Sequence, residues 1–273
     1  MGKLIAGICA VVIVLGAIAT AGPARSPPRW HPDVKAAKRY ADHRAGEVAF
    51  AVIDRRGRVR GDHRRKTAPA ASVFKVMLLV AYLRMRHHQG LSAGDRALLG
   101  PMIRRSDSVA ATTVRDKVGV RRIERVARVS SMRDFRYSPI WGLSRTSPRD
   151  QVRFMYRLRS FIPGRHRRYA LRLLSHIARS QRWGVGRVRT RGWRLYFKAG
   201  WGSGSGRVDH QVALLRRGHR KLAIAVFTQF DPDHAYGKRT LRGVFARLLR
   251  GLPASRNGKS HLQARSETSA SKA

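Results

Sequence analysis

Apolar positions along the chain follow two periods, and the switches between them mark the elements. Asp33 to His43 has helical spacing and ends near Gly46. Glu47 to Asp54 is almost continuously apolar and reads as a buried strand. Arg55-Arg56-Gly57-Arg58 then makes a turn into a second strand, Val59 to about His63. The run that begins at Pro69 predicts a buried helix ending near His88. Asp95 to Arg105 predicts another, which Pro101 should break or kink. Ser106 to Val118 is a third, closed by Gly119, and Arg121 to Val129 a fourth. Residues 130–147 show no period and read as a loop. Pro148 starts a helix with Phe154, Met155 and Leu158 inward, and Tyr169 to Ala178 carries a stripe of Leu171, Leu173, Leu174 and Ile177. Gly184 and Gly186 mark a loop. Trp193 to Ala199, Asp209 to Leu215 and Lys221 to Gln229 are strands, with Gly218 in the last turn. After Pro232, a basic amphipathic helix runs from Tyr236 to Arg250.

The order is helix, two strands, a helical block, three strands, helix. It predicts an α+β fold: a five-stranded antiparallel sheet with the terminal helices on one face and a helical subdomain on the other. This domain is expected over 33–252. Residues 1–21 read as an export signal, with Lys3 before an apolar stretch and Ala19-Thr20-Ala21 as a cleavage pattern. An uncleaved membrane anchor is the alternative. Both place the rest of the chain outside the cytoplasmic membrane, secreted or extracytoplasmic. Residues 22–32, with Pro23, Pro27 and Pro28, form a linker, and 253–273 a disordered tail.

Charge changes the picture most. Among 273 residues, 58 Lys and Arg face 15 Asp and Glu, a net charge of +43. Such a field attracts polyanions. An anionic cell-surface polymer is the expected partner of this kind. Nucleic acid is not, because no zinc pattern or RNP motif accompanies the charge. Cys9 is the single cysteine, so no intrachain disulfide forms. No metal or other cofactor is expected. His87-His88 reads as a solvated helix end, and Asp231-Pro232-Asp233-His234 as a turn and helix cap. A monomer is expected.

The candidate chemistry begins at Ser72 and Lys75, an S-x-x-K unit at the start of the buried helix. At i and i+3 the hydroxyl and the amine share a helix face. A serine hydroxyl needs a neighbour to take its proton, and a lysine whose pKa is lowered by burial can do so. Two further stretches follow in order: Ser106-Asp107-Ser108 and Lys198-Ala199-Gly200-Trp201-Gly202. The sequence S-x-x-K, S-D-N, K-T-G marks the penicillin-recognising serine hydrolases. Over roughly residues 33–251 the chain resembles the class A β-lactamase-like branch of that family. Val48 to Asp54 looks like its first strand, and Thr146-Ser147-Pro148-Arg149-Asp150 like the helix start after its Ω-loop.

The resemblance implies a serine hydrolase acting through an acyl-serine intermediate on a β-lactam or a related amide or ester, including peptidoglycan-like material. It implies Ser72 as nucleophile, Lys75 as the group taking its proton, Ser106 as a proton relay and Lys198 as a source of positive potential. The backbone N–H groups of Ser72 and Trp201 would form the oxyanion hole, and Asp107 would brace the loop. Ser108, Ala199 and Gly200 would line the substrate, with Arg207 as a carboxylate partner. Three departures stand out. Ser108 replaces the usual Asn, and Ala199 the usual Thr or Ser, with Ser203, Ser205 or Arg207 as compensating groups. The loop from Ser130 to Ser147 lacks the glutamate that activates the deacylating water. Its one carboxylate, Asp134, reads as a surface turn residue. Trp141, Trp193 and Trp201 suit a cleft or the core equally. Slow deacylation is therefore expected. A non-catalytic binder of anionic cell-wall material on the same scaffold is the alternative.

Overall fold

Five strands pair antiparallel throughout, in the order Val59–Asp62, Glu47–Ile53, Arg220–Gln229, Val208–Arg217, Arg194–Gly202. A computed structural model describes residues 30–54, 56–202 and 207–254. The expected signal over 1–21, most of the linker and tail, and Ser203 and Ser205 lie outside the described residues. Helix α1 (Val34–Asp42) is capped by Asp33, whose side chain accepts from the Ala36 N–H. It leads into β1 (Glu47–Ile53) and β2 (Val59–Asp62). The two-residue strand β3 (Ala68–Pro69) precedes a 3₁₀ turn over Ala71–Phe74 and then α2 (Lys75–Met85).

The helical block is α3 (Ala93–Arg104), α4 (Ser108–Val129), α5 (Pro148–Tyr156), α6 (Leu158–Phe161) and α7 (Arg167–Ser175), with the short strand β4 (Arg145–Thr146) before α5. β5 (Arg194–Gly202), β6 (Val208–Arg217) and β7 (Arg220–Gln229) complete the sheet, and α8 (His234–Leu248) closes the domain. α1 and α8 pack together and against one face of the sheet, while α5 packs on β1, β6 and β7 from the other. The first eight residues of β6 are all buried, as expected of a strand covered on both faces.

Helix α3 runs through Pro101, so of the two expected outcomes, a break or a kink, the break does not occur. A capping box starts it: Ser92 and Asp95 exchange side-chain-to-backbone bonds of 2.9 and 3.0 Å. Leu99, Met102 and Ile103 bury its inner face around the proline. The expected break at Gly119 is present, as φ 69° and ψ 159° interrupt α4 there. β3 and β4 pair over only two residues, Ala68↔Thr146 and Pro69↔Arg145. They tie the segment before Ser72 to the loop after α4.

Candidate active site

Ser72 lies in the 3₁₀ turn, and Lys75 opens α2. The residue before Ser72, Ala71, holds φ 44°, a left-handed conformation that costs a non-glycine residue free energy. The backbone on either side of that position is anchored at Ala70 and Val73. Ala70 N–H donates to the Ser144 carbonyl at 2.7 Å, and Val73 N–H to the Ala70 carbonyl at 3.2 Å.

Lys75 is fully buried. Its Nζ donates to the Ser106 carbonyl at 2.6 Å and reaches Ser106 Oγ and Ser108 Oγ, each at 3.3 Å. Lys198, on β5, is also buried, and its Nζ donates to Ser106 Oγ at 2.9 Å and to the Ala199 carbonyl at 2.7 Å. Ser106 itself has φ 62°, just ahead of α4. Asp107 is the N-cap of that helix, its Oδ1 accepting from the Ala110 N–H at 2.9 Å. The cap fixes the turn that carries Ser106 and Ser108.

Burial lowers the Lys75 amine from 10.5 to about 8, and the Asp107 charge opposes this only in part. Burial also holds Lys198 well below its ordinary value, with the charge of Lys75 adding to the effect. Two buried ammonium groups around one hydroxyl repel each other, so the pair is pushed toward shedding a proton.

Gly200 brings β5 against the Ser72 backbone. A Cβ on Gly200 would lie 2.7 Å from the Ser72 nitrogen and 2.8 Å from the Val73 nitrogen. Among the described residues β5 is the outer strand of the sheet, and it packs on the 3₁₀ turn. The structure thus gathers Ser72, Lys75, Ser106, Ser108, Lys198 and Gly200 in one place.

Comparison with known proteins places the chain in a family. The profile described as the beta-lactamase enzyme family matches residues 89–249, more than half of the chain. The chain belongs to the beta-lactamase enzyme family. The matched span contains Ser106 and Lys198 and begins after Lys75. No curated protein matches the sequence. The fold is that of class A β-lactamases. A β-lactamase from Sphaerobacter thermophilus is 21% identical, with TM-score 0.67 over 80% of this chain and 95% of that one. A class A β-lactamase from Mycobacterium abscessus is 19% identical, with TM-score 0.67 over 80% and 98%. An ancestral (GNCA) class A β-lactamase is 15% identical, with TM-score 0.68 over 79% and 98%.

The loop from Ser130 to Ser147 holds no glutamate, and one of its aromatic residues stands beside Lys75. Trp141 occupies a 3₁₀ turn, and its ring faces the Lys75 Nζ at 4.9 Å. The ring stacks on Phe74 at 6.3 Å between centroids, and its Nε1–H donates to Thr112 Oγ1 at 3.2 Å. Asp134 is no surface turn residue. Its carboxylate accepts from Ser147 Oγ at 2.8 Å, pairs with Arg65 at 3.1 Å and is 8% exposed. It braces the loop where α5 begins.

The remaining candidates are distributed. Ala199 is buried on the face opposite Lys198. Arg207 gives its backbone carbonyl to the Asp231 N–H at 3.2 Å, at the start of β6. Trp193 donates its Nε1–H to the Pro253 carbonyl at 3.0 Å. Asp233 is the N-cap of α8, its Oδ1 accepting from Tyr236 N–H at 2.6 Å. His87 and His88 sit in an exposed turn after α2. Among the described residues no group of three or more His, Cys, Asp or Glu could hold a metal, and no helix is long and apolar enough to cross a membrane.

Three further residues, His210, Asp209 and His234, stand outside the three motifs. His210 is buried. Its Nε2 lies 3.0 Å from the Pro69 carbonyl, and its Nδ1 accepts from the Thr228 N–H at 3.3 Å. Burial lowers its pKa to about 4, so the ring is neutral and Nε2 is the donor. It thereby pins the strand that precedes Ser72. Asp209 meets His234 Nδ1 at 2.6 Å. Burial, with the Asp231 charge adding, raises the Asp209 carboxyl to about 8, while burial lowers His234. The contact is therefore a neutral hydrogen bond with the proton on the carboxyl. His234 in turn stacks on Trp201, at 5.7 Å between centroids, and Trp183 meets both edge-on. This cluster holds the indole of the Lys198-Ala199-Gly200-Trp201 segment against α8.

Proposed function

We propose that the protein is an exported serine hydrolase that works through an acyl-serine intermediate. Ser72 Oγ attacks the carbonyl of a β-lactam or a related amide or ester, peptidoglycan-like material included, and its proton passes to Lys75 Nζ. The new Oγ–C bond forms as the C–N or C–O bond breaks, and Ser106 Oγ returns the proton to the departing atom. Lys198 supplies positive potential at Ser106. The backbone N–H groups of Ser72 and Trp201 receive the developing oxyanion, and losing one such donor typically costs about two to three orders of magnitude in rate.

The carrying observation is the pair of buried amines on one hydroxyl, Lys75 at 3.3 Å and Lys198 at 2.9 Å from Ser106 Oγ, with the pKa of both depressed. Burying two amines without a carboxylate partner is costly. A scaffold that only bound wall polymer would have no use for that expense, which favours the catalytic reading over the binding one. No glutamate lies between Ser130 and Ser147, and an indole fills the corner beside Lys75. Deacylation is accordingly slow.

Mass spectrometry after exposure to penicillin tests this. A persistent adduct on wild type that is absent from Ser72→Ala supports it. An unmodified wild-type protein, or an undiminished adduct on Ser72→Ala, overturns it.

A further inference from the structure

A cavity of about 880 Å³ opens between α7, the segment 182–193 and the first half of β5. Seven of its lining residues are arginines, and none is an aspartate or glutamate. None of Ser72, Lys75, Ser106 or Lys198 lines it. Elsewhere in the fold arginines find acids: Arg60 pairs with Asp54, Arg65 with Asp134 and Arg86 with Asp95. Among the described residues, none of the seven cavity arginines forms an ion pair.

Two of them are placed side by side by the sheet itself. Arg194 on β5 is the register partner of Arg216 on β6. Like charges at directly opposed positions destabilise a strand pair. Burial lowers the Arg216 pKa, and the charges of Arg159 and Arg194 lower it further. Lys221 is pushed down by burial and then by Arg216, Arg157 and Arg159. The fold thus concentrates positive charge here and leaves it without a counter-charge.

Guanidinium is the group best matched to phosphate oxygens, giving paired charge-assisted hydrogen bonds. The volume falls within the range of small-molecule sites, about 300–1,000 Å³, and is too small for a duplex. We propose that this cavity binds a compact, multiply charged phosphate anion, held by Arg159, Arg172, Arg194 and Arg216. Strand alternation puts Arg194, Tyr196 and Lys198 on one face of β5. Arg194 and Lys198 are about 13 Å apart along it at the usual rise. The ligand would therefore contact the strand that carries Lys198. The proposal does not depend on hydrolysis.

The test is calorimetric titration of the full chain with inorganic tripolyphosphate at near-physiological ionic strength, where diffuse attraction is screened. The expected result is one anion per chain. The double variant Arg194→Ser/Arg216→Ser should weaken binding about tenfold or more, as expected for losing charge-assisted bonds. A control with the same charge change on the exposed side of α4, Arg121→Ser/Arg125→Ser, should stay within about twofold, since surface substitutions away from the site remove only screened attraction. Melting temperatures confirm that both variants fold. Uptake without a defined stoichiometry, or equal losses in the two double variants, would overturn the site and leave only the general attraction of a +43 chain. Displacement by a short single-stranded oligodeoxynucleotide would identify a phosphodiester chain as the source of the phosphates, and absence of displacement a free anion. Neither readout depends on acylation at Ser72.

Discussion

Gly200 stands so close to Ser72 that a single methyl group at 200 would sit 2.7 Å from the Ser72 backbone nitrogen. The atoms it would meet are backbone, which cannot swing aside. Gly200→Ala must therefore push β5 away from the 3₁₀ turn. The variant should fold, with β5 still paired to β6, yet acylate by penicillin about two to three orders of magnitude more slowly, the usual loss when an oxyanion donor is misplaced. Acylation kinetics by mass spectrometry, with circular dichroism for folding, would check this.

Lys75 makes the opposite trade. Its amine is buried without a carboxylate partner, so Lys75→Met should hold or raise the melting temperature while lowering acylation about 10²–10⁴-fold, the range for a lost general base. In wild type the acylation rate should climb with pH and level off above about 8, where the amine is neutral. A pH–rate profile gives the midpoint. A flat profile from 6 to 9 would remove Lys75 from this role.

Asp209 should make the fold sensitive to alkali. Its folded carboxyl is raised from 3.8 to about 8, so the native state keeps a proton that the unfolded chain releases. That stability is complete below about pH 4 and is lost as pH rises through about 8. Asp231, raised to about 6, acts in the same sense. His210, lowered to about 4, acts in the other and loses stability as pH falls from 6.5. Lys198, held well below its ordinary value, acts oppositely and gains stability as pH rises, so the Asp209 effect is read as a difference: relative to Asp209→Asn, wild type should lose melting temperature between pH 6 and 8. Asp209→Asn, which can still donate to His234, should flatten that decline.

Asp107→Ala should cost about 1 kcal/mol, the typical worth of an N-cap. The turn it fixes carries Ser106 and Ser108, so acylation should fall as well. Asp107→Asn, which can still cap, should restore both. Thermal melts and labelling rates on the three proteins separate a cap from a bystander.

Much of this was legible in the chain, for reasons that show where legibility stops. β1 and β7 announce themselves because they are buried on both faces and read as apolar runs. α1 and α8 show because one face is wet. β3 and β4 were invisible, since two residues carry no alternation. α3 carries Pro101 inside it without breaking, because packing along the helix's inner face outweighs the local chemistry of that residue. At the site, Ser72, Lys75, Ser106 and Lys198 could be picked out because each belongs to a spaced motif. His210 and the Asp209–His234 pair could not. Their partners, Pro69, Thr228 and each other, are distant in the chain and meet only through the register of β6 and the docking of α8.

The indole at 141 has a consequence for altering this protein. A carboxylate installed there could recruit a hydrolytic water and speed release of the product. It would also stand beside Lys75 and raise the pKa of that amine, moving the pH midpoint of acylation upward. If the proposed acyl-serine route holds, forming and clearing its intermediate make competing electrical demands on one corner, where Trp141 sets a ring without formal charge beside Lys75.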